Sequence, residues 1–246
     1  MFNLWKIIAF RRFCPYNEDG TQHLSKGGRI MPRIVAVMAG TPVDTRMGME
    51  MLERKGGFLP ISCPISRDPR EQTAFQLGPL EERTAIVRAM VRHAMEEGAQ
   101  ALLVYCNSLS GSLDFESLCR EEGIPVITPL MIHRQLAARC RRIGLIAANN
   151  QSLHGIERVI FDENPGCDVL GVSLLPMVLA IEAKMPPRQI VQTFGLDKLM
   201  DYFAQNQADL VALGCTHFGY IRAALEEVTS LTVFDPDDAM ADLLSF

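Results

Sequence analysis

Lysine is scarce in this chain of 246 residues: only Lys6, Lys26, Lys55, Lys184 and Lys198 occur, and none follows a predicted strand. A strand-end lysine for a Schiff base is therefore missing, which argues against pyridoxal chemistry. Also absent are Gly-x-Gly-x-x-Gly, a phosphate-binding loop, a Gly-x-Ser-x-Gly elbow and His-Glu-x-x-His. With them go the local signals of dinucleotide binding, nucleotide hydrolysis, serine hydrolysis and zinc proteolysis. No apolar stretch approaches the roughly 18 residues of a membrane span. The seven cysteines form no Cys-x-x-Cys pair and no Cys/His spacing of a zinc site, so no metal is implied. Their odd number reads as free thiols in a reducing, cytoplasmic setting. A net charge of −5 without a long single-sign run argues against a nucleic-acid partner.

What is present is ordinary globular composition, 48% hydrophobic and 22% charged, in a length that suits one large or two compact domains. The first thirty residues stand apart. Leu4, Trp5, Ile7, Ile8 and Phe10 form a short apolar patch, broken by Lys6 and followed by Arg11 and Arg12 with no small-residue cleavage site, a pattern that argues against a signal peptide. Residues 15–28 are polar and aperiodic. Lys26-Gly27-Gly28 just before Met31 fits an in-frame translation of a ribosome-binding site. The expectation is that Met31 is the true start and 1–30 an artefact; the alternative is a flexible arm.

From Ile34 strands and helices alternate, the pattern of an α/β fold with mainly parallel sheets. The predicted order is strand Ile34–Met38, a helix through Met47 and Leu52 ending at Gly56-Gly57, the amphipathic helix Leu80–Glu97, strand Ala101–Tyr105, a helix capped by Asp114, and strand 123–127. A second unit begins near Pro129: helix Met131–Arg141, strand Ile143–Ala147, a helix around Ile156–Phe161, strand Val169–Val172, helix Arg188–Gln205 and strand Leu210–Leu213. Helix Tyr220–Val228 and strand Leu231–Phe234 follow. The expected division is 31–129 plus 218–246 as one α/β domain and 130–217 as the other.

The most informative feature is a repeated segment. Residues 99–107, Ala-Gln-Ala-Leu-Leu-Val-Tyr-Cys-Asn, align without a gap against residues 208–216, Ala-Asp-Leu-Val-Ala-Leu-Gly-Cys-Thr. Each is a buried-strand run that ends on a cysteine followed by small polar residues. Ligands in open α/β sheets bind beyond the carboxyl ends of strands. Cys106 and Cys215 therefore read as two thiols of one site between two similar halves. A sulfur on each side suits removal of a proton from one face of a carbon and its return on the other.

Six segments, in order and spacing, resemble the cofactor-independent aspartate/glutamate racemase superfamily, most closely its glutamate racemase branch: Asp44-Thr45, residues 73–78 (Thr-Ala-Phe-Gln-Leu-Gly), Cys106-Asn107-Ser108-Leu109-Ser110, residues 178–182 (Val-Leu-Ala-Ile-Glu), Gly214-Cys215-Thr216-His217 and Asp235-Pro236. There are departures: Gln76-Leu77 stand for the Pro-Tyr of the branch's Pro-Tyr-Gly, and Phe218-Gly219 for the Tyr-Pro after Cys-Thr-His. A Thr-rich substrate-side stretch is replaced by Ala147-Ala148-Asn149-Asn150-Gln151. The resemblance implies two similar domains with the active site in the cleft between them, no cofactor, and a racemase of an acidic amino acid, foremost glutamate. Aspartate racemase, another two-cysteine isomerase such as one acting on maleate, and a catalytically silent binding protein stand as alternatives. The partners implied are a small amino-acid substrate and, as an open alternative, a second copy of the chain in a homodimer; neither nucleic acid nor membrane is.

A thiol, with a reference pKa near 8.5, can act as thiolate or thiol and exchange roles with the hand of the substrate. Cys106 and Cys215 are the expected acid–base pair. The resemblance implies that Asp44 orients or helps deprotonate Cys106, and as a carboxylate it would raise rather than lower the thiol's pKa. His217 is expected to hold a proton near Cys215, with Glu182 as a supporting carboxylate. Thr45, Asn107, Ser108 and Thr216 offer donors to substrate carboxylates. His23, His93, His133 and His154 read as surface or loop residues, and Cys14, Cys63, Cys119, Cys140 and Cys167 as bystanders in helices, turns or the leading segment.

Overall fold

The computed structural model describes residues 31–244, so the expectations for residues 1–30, Cys14 and His23 included, lie outside the described residues. The first half runs β1 (Arg33–Ala39), α1 (Pro42–Lys55), β2 (Phe58–Pro64), α2 (Pro69–Leu77), α3 (Leu80–Glu96), β3 (Ala101–Val104), α4 (Asn107–Ser110), α5 (Phe115–Glu122) and β4 (Val126–Ile127). The second runs α6 (Pro129–Ala137), β5 (Arg142–Ala147), α7 (Asn150–Glu163), β6 (Asp168–Ser173), α8 (Leu175–Glu182), α9 (Pro187–Thr193), α10 (Leu196–Gln205) and β7 (Leu210–Gly214). A 3₁₀ turn over Thr216–Ile221, α11 (Arg222–Glu226), β8 (Val233–Phe234) and α12 (Pro236–Leu244) complete it.

Two four-stranded sheets result, ordered β2-β1-β3-β4 and β6-β5-β7-β8, with every pair parallel. The order is the same in both, so β3 and β7, the strands of the sequence repeat, hold the same interior position. Ala101–Val104 and Leu210–Gly214 are buried throughout, as expected of parallel strands covered by helices on both faces. The helix that follows the first strand of each half starts on a side-chain cap, Thr41 to the Asp44 N–H and Asn149 to the Ser152 N–H, with Pro42 pre-set for the first turn of α1.

The structure departs from the sequence expectation in several places. The helix expected over Arg188–Gln205 is two, α9 and α10, because Gly195 sits at φ 61° and ψ 36°, a left-handed conformation that ends one helix before the next begins. The helix expected over Tyr220–Val228 splits into the 3₁₀ turn and α11. Cys63 lies in β2 rather than a turn, and Cys140 just beyond the end of α6 rather than on it. Residues 218–235, grouped with the first half on sequence, instead build the second: β8 pairs with β7, and Phe218, Ile221 and Leu225 bury in the second core. A short crossover between parallel strands lands the new strand beside the old one. α12 returns, placing Met240, Ala241 and Leu244 in the first core, with Phe234 packed against it. Arg33 Nη1 donates to the Leu244 carbonyl at 2.7 Å, and Lys55 pairs with Asp242, tying the last helix to the first strand and helix. Among the described residues no helix is long and apolar enough to cross a membrane.

His133, expected at the surface, is fully buried on α6 with neither ring nitrogen partnered; α7 and α12 pack against that helix. Burial pushes its pKa down to about 4 from 6.5. The folded state holds it neutral, so on acidification the unfolded state takes up the proton first. Stability from this residue is complete above about pH 6.5 and is lost as pH falls toward 4, by roughly 3 kcal/mol in all. His133→Leu is expected to flatten that limb of the urea-unfolding free energy between pH 7 and about 4.5. An equal loss in variant and wild type would assign the acid sensitivity to other groups.

Candidate active site

Each central strand delivers a cysteine to the cap of a following turn. After β3, Cys106 occupies the N-cap of α4 in extended conformation, and after β7, Cys215 does the same for the 3₁₀ turn. Both are buried, 8% and 9% exposed. Cys106 Sγ lies 3.4 Å from Ser108 Oγ and Cys215 Sγ 3.7 Å from His217 Nδ1. Burial pushes both thiols up, Cys215 well above the ordinary range. The Asp44 charge adds to the rise at Cys106, and negative charge on Cys106 itself raises Cys215. The two sulfurs thus share one electrostatic environment, in which ionisation of one opposes ionisation of the other.

A carboxylate–imidazole group joins the halves. Asp44, in the first turn of α1, brings Oδ1 to 3.2 Å from His217 Nε2. Glu182, the last residue of α8, brings Oε1 to 3.4 Å from the same nitrogen. These are ion-pair distances without the alignment of a hydrogen bond. Burial raises the Asp44 pKa, the His217 charge opposes that rise, and the Glu182 charge adds to it. One imidazole therefore faces two carboxylates through Nε2 and the Cys215 sulfur through Nδ1. Asp44, Glu182 and His217 each offer a ligand atom within 4.8 Å of the others, close enough to hold a divalent cation; an imidazolium would balance the same carboxylates without one.

The expected substrate donors divide. Asn107 is buried with both carboxamide atoms unpartnered, a group left open toward a ligand. Ser108 stands between Cys106 and Gln76, whose Nε2 donates to its Oγ at 3.1 Å. Thr216 is buried and lines a cavity of about 520 Å³ that also touches Met47, Arg54, Tyr105, Asp235 and Asp237 but neither sulfur. Thr45 departs from expectation: it is fully buried and its Oγ1 donates to the Thr41 carbonyl at 2.8 Å, as Thr does inside a helix. His93 and His154 are exposed, as expected.

Sequence reasoning missed two groups. Gln72 Nε2 reaches Cys106 Sγ at 3.7 Å; Gln72 and Gln76 share a helix that carries no strong apolar stripe. Behind the cysteines, Tyr105 Oη donates to Asp237 Oδ2 at 2.6 Å. Burial, with the Asp235 charge, pushes Asp237 up to about 8. Asp235-Pro236 was the visible signal for that corner; the Tyr105 contact, across 132 residues of chain, had none.

The sequence profile of the Asp/Glu/Hydantoin racemase family matches residues 80–244. The glutamate racemase of Latilactobacillus sakei subsp. sakei is 26% identical over 187 residues, covering 70% of this chain and 66% of that protein; the chain thus spans just under two thirds of that relative's length. Among solved structures, the glutamate racemase of Francisella tularensis subsp. tularensis in complex with D-glutamate superposes with a TM-score of 0.67 at 17% identity, over 88% of this chain and 81% of that one. The aspartate racemase of Picrophilus torridus does so with a TM-score of 0.62 at 14% identity, over 86% and 92%. The structural likeness supports the pair of parallel sheets, and the profile, matching well over half of the sequence, goes further: the chain belongs to the Asp/Glu/hydantoin racemase family.

Proposed function

We propose that this protein is a cofactor-independent amino-acid racemase acting at Cα by two-base proton transfer between Cys106 and Cys215, with glutamate as the foremost substrate. The observation that carries the reading is the pair of buried thiols at equivalent strand ends, coupled through one field. The substrate sits between the halves. One cysteine, as thiolate, takes the Cα proton; the other, as thiol, supplies one to the opposite face, and their roles reverse with the substrate's hand. His217 relays a proton to and from Cys215 through Nδ1, while Asp44 and Glu182 orient the ring from the Nε2 side. The open Asn107 carboxamide, with one donor and one acceptor, suits the substrate's amino and carboxylate groups.

Replacing either sulfur abolishes inversion but leaves the opposite base in place. Cys106→Ala and Cys215→Ala are each expected to lose racemisation and to retain, at most, exchange of the Cα proton of one enantiomer, a different one for each variant. Proton NMR in D₂O with glutamate, aspartate and a panel of other amino acids reads substrate and exchange together. Interconversion near the wild-type rate in either variant would remove the pairing. Absence of exchange by the wild type with every amino acid would favour a binding role.

His217→Asn leaves Cys215 without its imidazole. Loss of a positioned acid–base group costs on the order of 10²–10⁴ in rate. The expectation is a fall of that size in kcat, with solvent exchange slowed more for the enantiomer facing Cys215 than for the one facing Cys106. Equal slowing of both would assign His217 a role in substrate binding instead.

A further inference from the structure

Helix α2 forms a further wall beside Cys106. Asp68 caps it, accepting from the N–H groups of Arg70 and Glu71, and Gln72 and Gln76, four residues apart, lie on one face of it. The Gln72 carboxamide rests on Gly40, at the end of β1, so closely that a Cβ there would come within 2.2–2.4 Å of the amide atoms. Any other residue at position 40 would displace the amide. From that seat Nε2 reaches Cys106 Sγ at 3.7 Å. One turn on, buried Gln76 donates to Ser108 Oγ, itself 3.4 Å from the same sulfur. The helix thus directs one amide to the thiol and a second to the hydroxyl beside it.

We propose that Gln72 is a positioning residue for Cys106: its N–H group fixes the sulfur and favours the thiolate, with Gln76 holding Ser108 as the second donor. The proposal rests on the reading of Cys106 as a base, although ionisation of the sulfur is measurable without turnover. Donors directed at the charged form lower a thiol's pKa. They act here alongside the backbone N–H groups of Ser108 and Leu109, and against burial and Asp44, which faces Cys106 from α1. Cys215 has the His217 ring and backbone N–H as neighbours in place of a side-chain amide. The reverse amide orientation, with Oε1 accepting from the S–H, would favour the neutral thiol and predicts the opposite shift.

The test uses the full chain with carbon-13-labelled cysteine, in which the Cβ chemical shift reports thiol ionisation without a reagent having to enter the site; Cys106→Ser and Cys215→Ser assign the signals. In Gln72→Met, which keeps length but lacks the donor, the Cys106 midpoint is expected to rise by about one pH unit. Gln72→Glu, of the same shape and negatively charged, is expected to raise it further, and Gln72→Asn less than either. The Cys215 midpoint stays within a few tenths of a unit, and racemisation at pH 7 falls roughly tenfold in Gln72→Met, following the thiolate fraction. An unchanged or lowered Cys106 midpoint, or both cysteines shifting together as in a loosened site, would overturn the proposal. The expected shift in a protein that racemises nothing would uphold the role of Gln72 and reject the proposed activity.

Discussion

The imidazole of His217 is the contact on which the site depends. Its Nε2 meets Asp44 from the first half and Glu182 from the second, 3.2 and 3.4 Å away, while Nδ1 turns to Cys215. Two carboxylates near one buried ring are costly unless positive charge lies between them. The ring therefore ties α1, α8 and the turn after β7 into one electrostatic unit. Asp44 and His217 are buried and Glu182 closes the group from the exposed side, so the groups that would do the chemistry also link the two halves.

The duplicated topology explains why the thiols stand where they do. β3 and β7 occupy the same interior position in sheets of the same order, and each cysteine is the first residue after its strand to cap the following turn. Interior parallel strands are held on both edges, which fixes the place where the chain leaves the sheet. A reacting group placed at that exit inherits the rigidity of the sheet, as the close positioning of reacting atoms requires. The differences lie in the turns: Cys106 is followed by Asn107 and Ser108, Cys215 by Thr216 and His217. The halves share a scaffold and differ in what they bring to the sulfur.

Legibility in the sequence followed the range of the interactions. β1, β3, β5 and β7 could be read because an interior parallel strand must be an unbroken apolar run, and the long helix α3 because its apolar stripe is periodic. β2 escaped because it is an edge strand carrying Pro60 and Pro64, with only a half-buried pattern. α2 escaped because its glutamines turn to the Cys106 sulfur and the Ser108 hydroxyl, and Phe75 alone is too little to mark an apolar stripe. His133 was misread because a lone histidine in an amphipathic segment has no local mark of burial; α7 and α12 bury it, and α12 lies a hundred residues away. In the candidate site, the thiols, Asp44, Glu182 and His217 are legible in short local motifs. Thr45 was not separable from a substrate donor until its bond to Thr41 was seen, and no spacing rule could connect Tyr105 to Asp237.

The buried acids around the thiols all have their pKa raised in the same direction. Burial is the largest cause at Cys106, Cys215, Asp44, Asp235 and Asp237, and in each it favours the neutral form. Asp237 is pushed up to about 8, toward its neutral form. The surroundings of the thiols thus accept negative charge reluctantly, and each new anion raises the pKa of its neighbours. For the proposed reaction this is an advantage. A thiolate formed there is poorly solvated and strongly basic, suited to a proton as weakly acidic as one on Cα. The same reluctance keeps the opposite thiol protonated while the first is ionised, so the acid and the base of a two-base transfer are prepared together by burial and mutual repulsion.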